Sequence, residues 1–369
     1  MRFPILVTIF AVLTLAPGGR VRAQDVHVQP APPTVSSPLT TFSPPPPIDP
    51  DAAFRGYLAT LRPQARAAGV SDLLFDSVIE TLTFNPRVIA LDRAQPGGDP
   101  TAPPSAIPNF APYRARHVDA DRINRGRRRY QELRPQLARI EAVTGVPESI
   151  MMAIYGHETG YGTYTGDFDL LRSLGSLAYD GRRRDLFARE FVATLALLQQ
   201  GVPRSQLKGS WAGATGYPQF LPSIYLRLAI DGDGDGRKDI WGSEADALAS
   251  IGNYLANAGW KRGVPWGVAV RVPAMLDRAA LRPLVRSPRC PRVHERHSRW
   301  LTIAEWRRLG VAIIGSPAPA ESELATLLEP DGPDATAYLL TTNYRAILDY
   351  NCSNFYALSV GLLADEVAR

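Results

Sequence analysis

The chain has 369 residues, 45% hydrophobic and 21% charged, an ordinary globular balance that excludes global disorder and a minimal disulfide-stapled scaffold. Its formal charge is +5, but Arg2, Arg20 and Arg22 fall in the first 23 residues, which hold no acid; without them 38 basic residues face 36 acidic ones. Such near-neutrality gives no support to nucleic acid or another polyanion as a partner.

Residues 1–23 have the form of a signal peptide: a basic start at Arg2, an apolar stretch from Ile5 to Leu15, and Val21-Arg22-Ala23 as a small-residue exit site. The apolar run is well short of the roughly 20 residues that span a bilayer, which weighs against the alternative of an anchor helix. No cysteine lies near the exit site to carry a lipid, so no stable membrane anchor is expected after cleavage. The two cysteines, Cys290 and Cys352, then enter an oxidising compartment where one disulfide is feasible, although spacing does not establish that they meet.

Residues 24–50, with four consecutive prolines from Pro44 to Pro47, read as a semi-rigid tether. Phe54, Leu58 and Leu61, then Leu73, Leu74, Val78, Ile79 and Leu82, recur at helical spacing and predict a helical lobe over 51–110, closed by a Pro/Gly-rich break from Pro96 to Pro112. The main body, 111–260, opens with residues 113–158, predicted wholly helical. Its arginines between Arg122 and Arg134 alternate with Ile123, Tyr130 and Leu133, the pattern of a solvated face. Further helices are predicted over Asp185–Gln200, Ser223–Ala229 and Ser243–Ala258, the last stopped by Gly259. Near-alternation through Val264, Trp266, Val268, Val270 and Val272 predicts a strand and, with it, a small β-containing insert over 261–330. Residues 331–369 are predicted as a C-terminal helical segment, with Tyr338 to Arg369 helical throughout. The fold class is therefore mainly α (α+β).

Three segments carry chemistry. In the first, Pro147 to Gly162, an apolar helix delivers Glu158 to its C-terminal end, where Thr159-Gly160-Tyr161-Gly162 stops it. A carboxylate there meets the negative end of the helix dipole and, if the apolar face surrounds it, a desolvation penalty; both raise its pKa, as a glycosidase general acid requires. The alternative is a surface glutamate in a frayed last turn. His157-Glu158 is not a zinc-protease pair, because position 161 is Tyr161 rather than a second histidine. In the second, Ser210 to Ser223, Trp211, Tyr217 and Phe220 stand among Gly and Pro, as in a saccharide groove or an ordinary core corner. In the third, Asp231, Asp233, Asp235 and Asp239 occupy positions one, three, five and nine of an EF-hand-like loop with Gly236 at six. Lys238 stands at position eight and Gly242 at twelve, so Glu244 or Asp246 would have to close a longer loop around a structural calcium ion.

The segments YGHETGYG, GSWAGATGYPQFLPSIY, the acidic loop followed by DALASIGNYL, and TNYRAILDYNCSNFYALSVGLLAD resemble, in this order, the lytic murein transglycosylase B family over about Phe54 to Asp365. The resemblance implies a lysozyme-like helical core with an added helical lobe. It implies a periplasmic enzyme that cleaves the β-1,4 bond between N-acetylmuramic acid and N-acetylglucosamine in peptidoglycan strands without adding water, leaving 1,6-anhydro ends. Glu158 would be the single acid and base, no cofactor would serve catalysis, and the muramoyl N-acetyl group would assist. Ser210 and Gln219 would line the sugar site, with Tyr113, Tyr350, Asn351 and Tyr356 around the glutamate. Asp231, Asp233, Asp235, the carbonyl of Arg237, and Asp246 would hold calcium. The resemblance also puts Cys352 in the loop facing the glutamate, so that a bond to Cys290 would tie the insert to the rim; two unpaired thiols are the alternative. His157 replaces the apolar residue that usually precedes the catalytic glutamate. A hydrolytic muramidase would instead need a second carboxylate, for which Asp167 and Asp169 are nearest in sequence, and a non-catalytic wall-binding protein would need only the groove.

Overall fold

The computed structural model describes residues 50–95, 108–284 and 287–369; the expected signal peptide and nearly all of the tether lie outside them. Four short helices come first: α1 (Pro50–Ala59), α2 (Arg62–Ala67), α3 (Asp72–Thr81) and α4 (Pro86–Arg93). They do not form a separate core. Phe54 and Phe84 meet Tyr179 of the main body at 5.8 and 5.7 Å between ring centroids, and buried Asp92 takes ion pairs from Arg182 and Arg183. One hydrophobic core thus runs from Phe54 to Val367.

The stretch expected as wholly helical consists of three helices, α5 (Ala111–His117), α6 (Ala120–Thr144) and α7 (Glu148–Thr159), the last beginning just after Pro147. Asp119 breaks the first junction by capping α6, its carboxylate accepting the Arg122 N–H at 2.9 Å, and Gly145 breaks the second with a left-handed φ of 73°. α7 is buried from Ile150 to Gly156 and packs against α6 and, further along the chain, α11 (Glu244–Asn257) and α15 (Asn354–Val367), so it is apolar nearly all round. A two-residue ribbon of β1 (Phe168–Asp169) and β2 (Lys208–Gly209), with α8 (Leu170–Asp180), α9 (Arg184–Gln199) and α10 (Pro222–Leu228), completes the lysozyme-like helical core.

The insert is a five-stranded antiparallel sheet in the order β4 (Leu301–Thr302), β6 (Leu324–Leu328), β7 (Ala337–Thr341), β3 (Gly267–Arg271), β5 (Ala312–Ile313), with short helices α12 (Pro291–His294) and α13 (Ile303–Arg308). The sheet reaches past residue 330: Tyr338 to Leu340, expected as helix, are the centre of β7. Ala337 and Leu339 enter the insert's own core around Trp306, whereas Tyr338 and Leu340 face the helical core. A strand buried on both faces reads as an unbroken apolar run, which periodicity alone does not distinguish from helix. α14 (Thr342–Tyr350) and α15 then return to the helical core, where α15 packs against α7.

Candidate active site

Gly160 adopts φ 58° and ends α7, so Glu158 emerges in the last turn into a groove of about 410 Å³. The Tyr356 hydroxyl of α15 donates to Glu158 Oε1 at 2.6 Å. Burial pushes the Glu158 carboxyl from 4.5 up to about 7, the tyrosine hydrogen bond opposing it. Glu158 is the only carboxyl group among the groove-lining residues described.

Tyr113, Ser210, Gln219, Asn351 and Tyr356 line this groove. Burial, with Glu158 adding to it, pushes the Tyr113 phenol to about 12, so it stays a neutral donor. Gln219 holds a left-handed φ of 50°, and its amide donates to the carbonyls of Thr165 and Gly216 at 3.1 and 2.9 Å. Ser210 ends a chain crossing that only glycine permits: a Cβ on Gly166 would lie 2.3 Å from the Gly209 carbonyl oxygen. Tyr350 is close to Glu158, which adds to burial in pushing its phenol up, but it is not among the groove-lining residues: its ring packs 4.7 Å from that of Tyr254 and its hydroxyl donates to the Pro218 carbonyl at 2.5 Å.

The two carboxylates considered for a hydrolytic mechanism do not reach the site. Asp169 caps α8 through Arg172 N–H at 2.8 Å and pairs with Arg204 at 3.0 Å, while Asp167 is exposed outside the groove. The sequence reading did not assign Trp211, Tyr164, Phe168, His117, Arg122 and Arg125 to the groove, where all six are found. Trp211 lay in a segment already marked as aromatic. His117 and Arg122 carried no local signal, because the break between α5 and α6 is what turns them inward. The arginines of α6 are therefore not all a solvated face.

The acidic loop brings Asp231, Asp233 and Asp246 together, with one carboxylate oxygen of each within 4.8 Å of the others. Asp246 is buried at the start of α11; it accepts the N–H groups of Gly232 at 2.7 Å and Asp239 at 2.6 Å, and burial pushes its carboxyl up. Glu244, the other candidate to close the loop, turns away to Arg129 and to the Tyr155 hydroxyl. Asp235 stands outside the trio, its carboxylate accepting Arg237 N–H at 2.8 Å, and Arg237 enters that contact through its N–H rather than its carbonyl. Beyond the loop, Trp241 Nε1 donates to Thr215 Oγ1 at 2.8 Å and Tyr217 N–H to the Ile240 carbonyl at 2.8 Å, which links the loop to the turn carrying Gln219.

Cys290 and Cys352 are bonded to each other, with Cα atoms 5.7 Å apart. Asn351 and Ser353, on either side of Cys352, both line the groove. A larger hollow of about 740 Å³ lies in the insert; of its two lining acids, Glu295 and Glu329, the second is held by Arg278 through hydrogen bonds of 2.8 and 2.9 Å.

The site is thus a desolvated carboxyl group in an aromatic-lined groove, set in a lysozyme-like helical frame. Residues 53–365 match the family described as the transglycosylase SLT domain. Membrane-bound lytic murein transglycosylase B of Escherichia coli (strain K12) is 31% identical over 273 residues, 72% of this chain and 70% of that one. The structure of SltB3 from Pseudomonas aeruginosa in complex with NAG-anhNAM-pentapeptide is similar with a TM-score of 0.74 and 38% identity, over 85% of this chain and 79% of that one. Escherichia coli Slt35 in complex with calcium gives 0.68 and 25%, over 85% and 92%. The chain belongs to the transglycosylase SLT family and is a lytic transglycosylase.

Proposed function

We propose that Glu158 is the single acid and base of a non-hydrolytic cleavage of the MurNAc–GlcNAc bond. The observation that carries this is the isolation of Glu158: one carboxyl group, raised to about 7, with no second acid among the described groove residues. The protonated Glu158 gives its proton to the glycosidic oxygen as the C1–O bond breaks, and the muramoyl N-acetyl oxygen supports the developing charge at C1. The resulting carboxylate takes the proton of the C6 hydroxyl, O6 bonds to C1, and the 1,6-anhydro ring closes with Glu158 protonated again. No water enters. Tyr356 steadies the carboxylate stage, and Tyr113, Ser210, Gln219 and Asn351 orient the sugars.

Asp231, Asp233 and Asp246 fit a calcium ion, because a cation among three converging carboxylates, one of them buried, would offset their mutual repulsion. Asp235 and the Arg237 carbonyl are the further ligands proposed, and Slt35, a relative, carries calcium in its own complex. The ion would brace the loop and take no part in the chemistry. No helix among the described residues is long and apolar enough to cross a membrane, and the proposed place of action is the periplasm, after removal of residues 1–23. Glu158→Gln tests the assignment: turnover of purified peptidoglycan falls by at least two to four orders of magnitude with strand binding retained. Activity above a tenth of the wild-type level contradicts it.

A further inference from the structure

Of the α6 arginines, two line the groove, and they differ. Arg125 is engaged, with Nε donating to Asp121 at 2.9 Å and Nη1 to the Gly160 carbonyl at 3.1 Å. Arg122 forms no ion pair among the described residues: Nη1 donates to the His117 carbonyl at 2.9 Å, and its buried Nε has no partner. Asp119, the acid beside it, accepts the backbone N–H of Arg122 as the helix cap. Next to this guanidinium the rings of Tyr113 and His117 stack at 3.8 Å, and those of His117 and His157 lie 5.7 Å apart with planes 6° from parallel. Burial depresses both imidazoles, so they add no charge near neutrality, and His157 Nε2 is likewise buried without a partner. His157 bonds the Ser359 backbone through its other ring nitrogen, which leaves Nε2 without a proton, so the cation of Arg122 is the group on this wall able to hold an anion.

Hydroxyl and acetamido groups of a plain glycan give a guanidinium nothing anionic to bind. The muramoyl unit differs, because its lactyl ether ends in a carboxylate or in an amide-linked peptide that itself carries carboxylates. We propose that Arg122 forms a subsite for a carboxylate on the muramoyl substituent beside the scissile bond, an inference that rests on the transglycosylase reading of the groove. A charged hydrogen bond in a partly desolvated wall makes such a carboxylate a specificity determinant, acting on KM more than on kcat.

The test compares wild type, Arg122→Gln and Arg122→Lys on three strands: peptide-bearing glycan, the same glycan stripped by an amidase so that the lactyl carboxylate is free, and peptide-bearing glycan with its carboxyl groups converted to methylamides. Arg122→Gln is expected to lower kcat/KM about tenfold to a hundredfold on a carboxylate-bearing strand, chiefly through KM, with a loss several-fold smaller on the methylamide strand. Arg122→Lys, which keeps the charge, is expected to recover part of it. A loss confined to the peptide-bearing strand assigns the ligand to the stem peptide, and one confined to the stripped strand assigns it to the lactyl group. An equal loss on all three strands overturns the subsite. If Arg122→Gln does not fold, the salt dependence of the wild type decides: KM must rise with ionic strength on carboxylate strands more than on the methylamide strand, and equal slopes overturn the proposal. Failure of the transglycosylase reading would show separately, as products lacking anhydro ends in every arm.

Discussion

Glu158 owes its chemistry to two features at different ranges. The helix end was legible locally, since Gly160 and Gly162 stop an apolar helix whose last charged residue is the glutamate. Its partner was not, because Tyr356 lies 198 residues away and entered the reading only through family resemblance. The same holds for Tyr350, which the resemblance places near the glutamate and which in the fold is close to Glu158 while its hydroxyl holds the Pro218 carbonyl. With the carboxyl at about 7, the acid form is lost as pH rises, so kcat/KM is expected to fall about tenfold per unit above pH 7. Stability carries the same sign. A carboxyl whose folded pKa exceeds 4.5 binds its proton more tightly when folded, so its contribution is complete below about 4.5 and is lost as pH climbs through about 7. Glu158→Gln, neutral at every pH, is thus expected to melt higher than wild type at pH 8 and to show a smaller difference at pH 5. Equal melting shifts at both pH values would contradict the desolvated acid.

At the scale of elements, strong helical periodicity was readable, and Ser243 to Ala258 was expected within a residue of α11. What misled was context. β7 is apolar on both faces because two cores meet across it, and the Arg-rich run of α6 has one face, with Arg122 and Arg125 three residues apart, turned to the groove. The acidic loop was legible from spacing, which left Glu244 and Asp246 open; the resemblance named Asp246, and the fold brings Asp246 to Asp231 and Asp233 while Glu244 bonds the Tyr155 hydroxyl. Because Trp241 and Ile240 bond to the turn holding Gln219, calcium is expected to steady both loop and groove. At a hundredfold excess over its Kd, an ion bound only by the folded state contributes about 2.7 kcal/mol. Calcium should therefore raise the melting temperature, chelator should reverse the rise, and Asp231→Ala with Asp246→Asn should abolish the response; a wild-type melting temperature indifferent to both additions would contradict the site.

Across the whole molecule, the insert and the catalytic core are held together at the groove rim. His297 is buried between Thr326 Oγ1 at 3.0 Å and Asn354 Oδ1 at 2.8 Å, and Asn354 Nδ2 donates to the Val293 carbonyl at 3.1 Å. The Cys290–Cys352 bond joins the same two regions across 62 positions, a loop whose closure contributes roughly 3 to 5 kcal/mol in the chain-entropy view. Sequence made the bond feasible by compartment alone; distance in space came from the fold. Thiol counting on denatured, unreduced protein should find no free thiol. Replacing both cysteines by serine should lower the melting temperature and raise KM, since Asn351 and Ser353 flank the linked residue. Two thiols per chain, or a double variant with wild-type stability and KM, would contradict that role.

The most direct measurement is product analysis of purified peptidoglycan digested in ¹⁸O-enriched water. A groove with one acid and no second carboxylate closes the muramoyl ring on its own C6 oxygen, so the new ends are expected one water lighter than reducing ends, free of label, and absent with Glu158→Gln. Labelled reducing ends as the main product, or anhydro ends persisting in the variant, would contradict it.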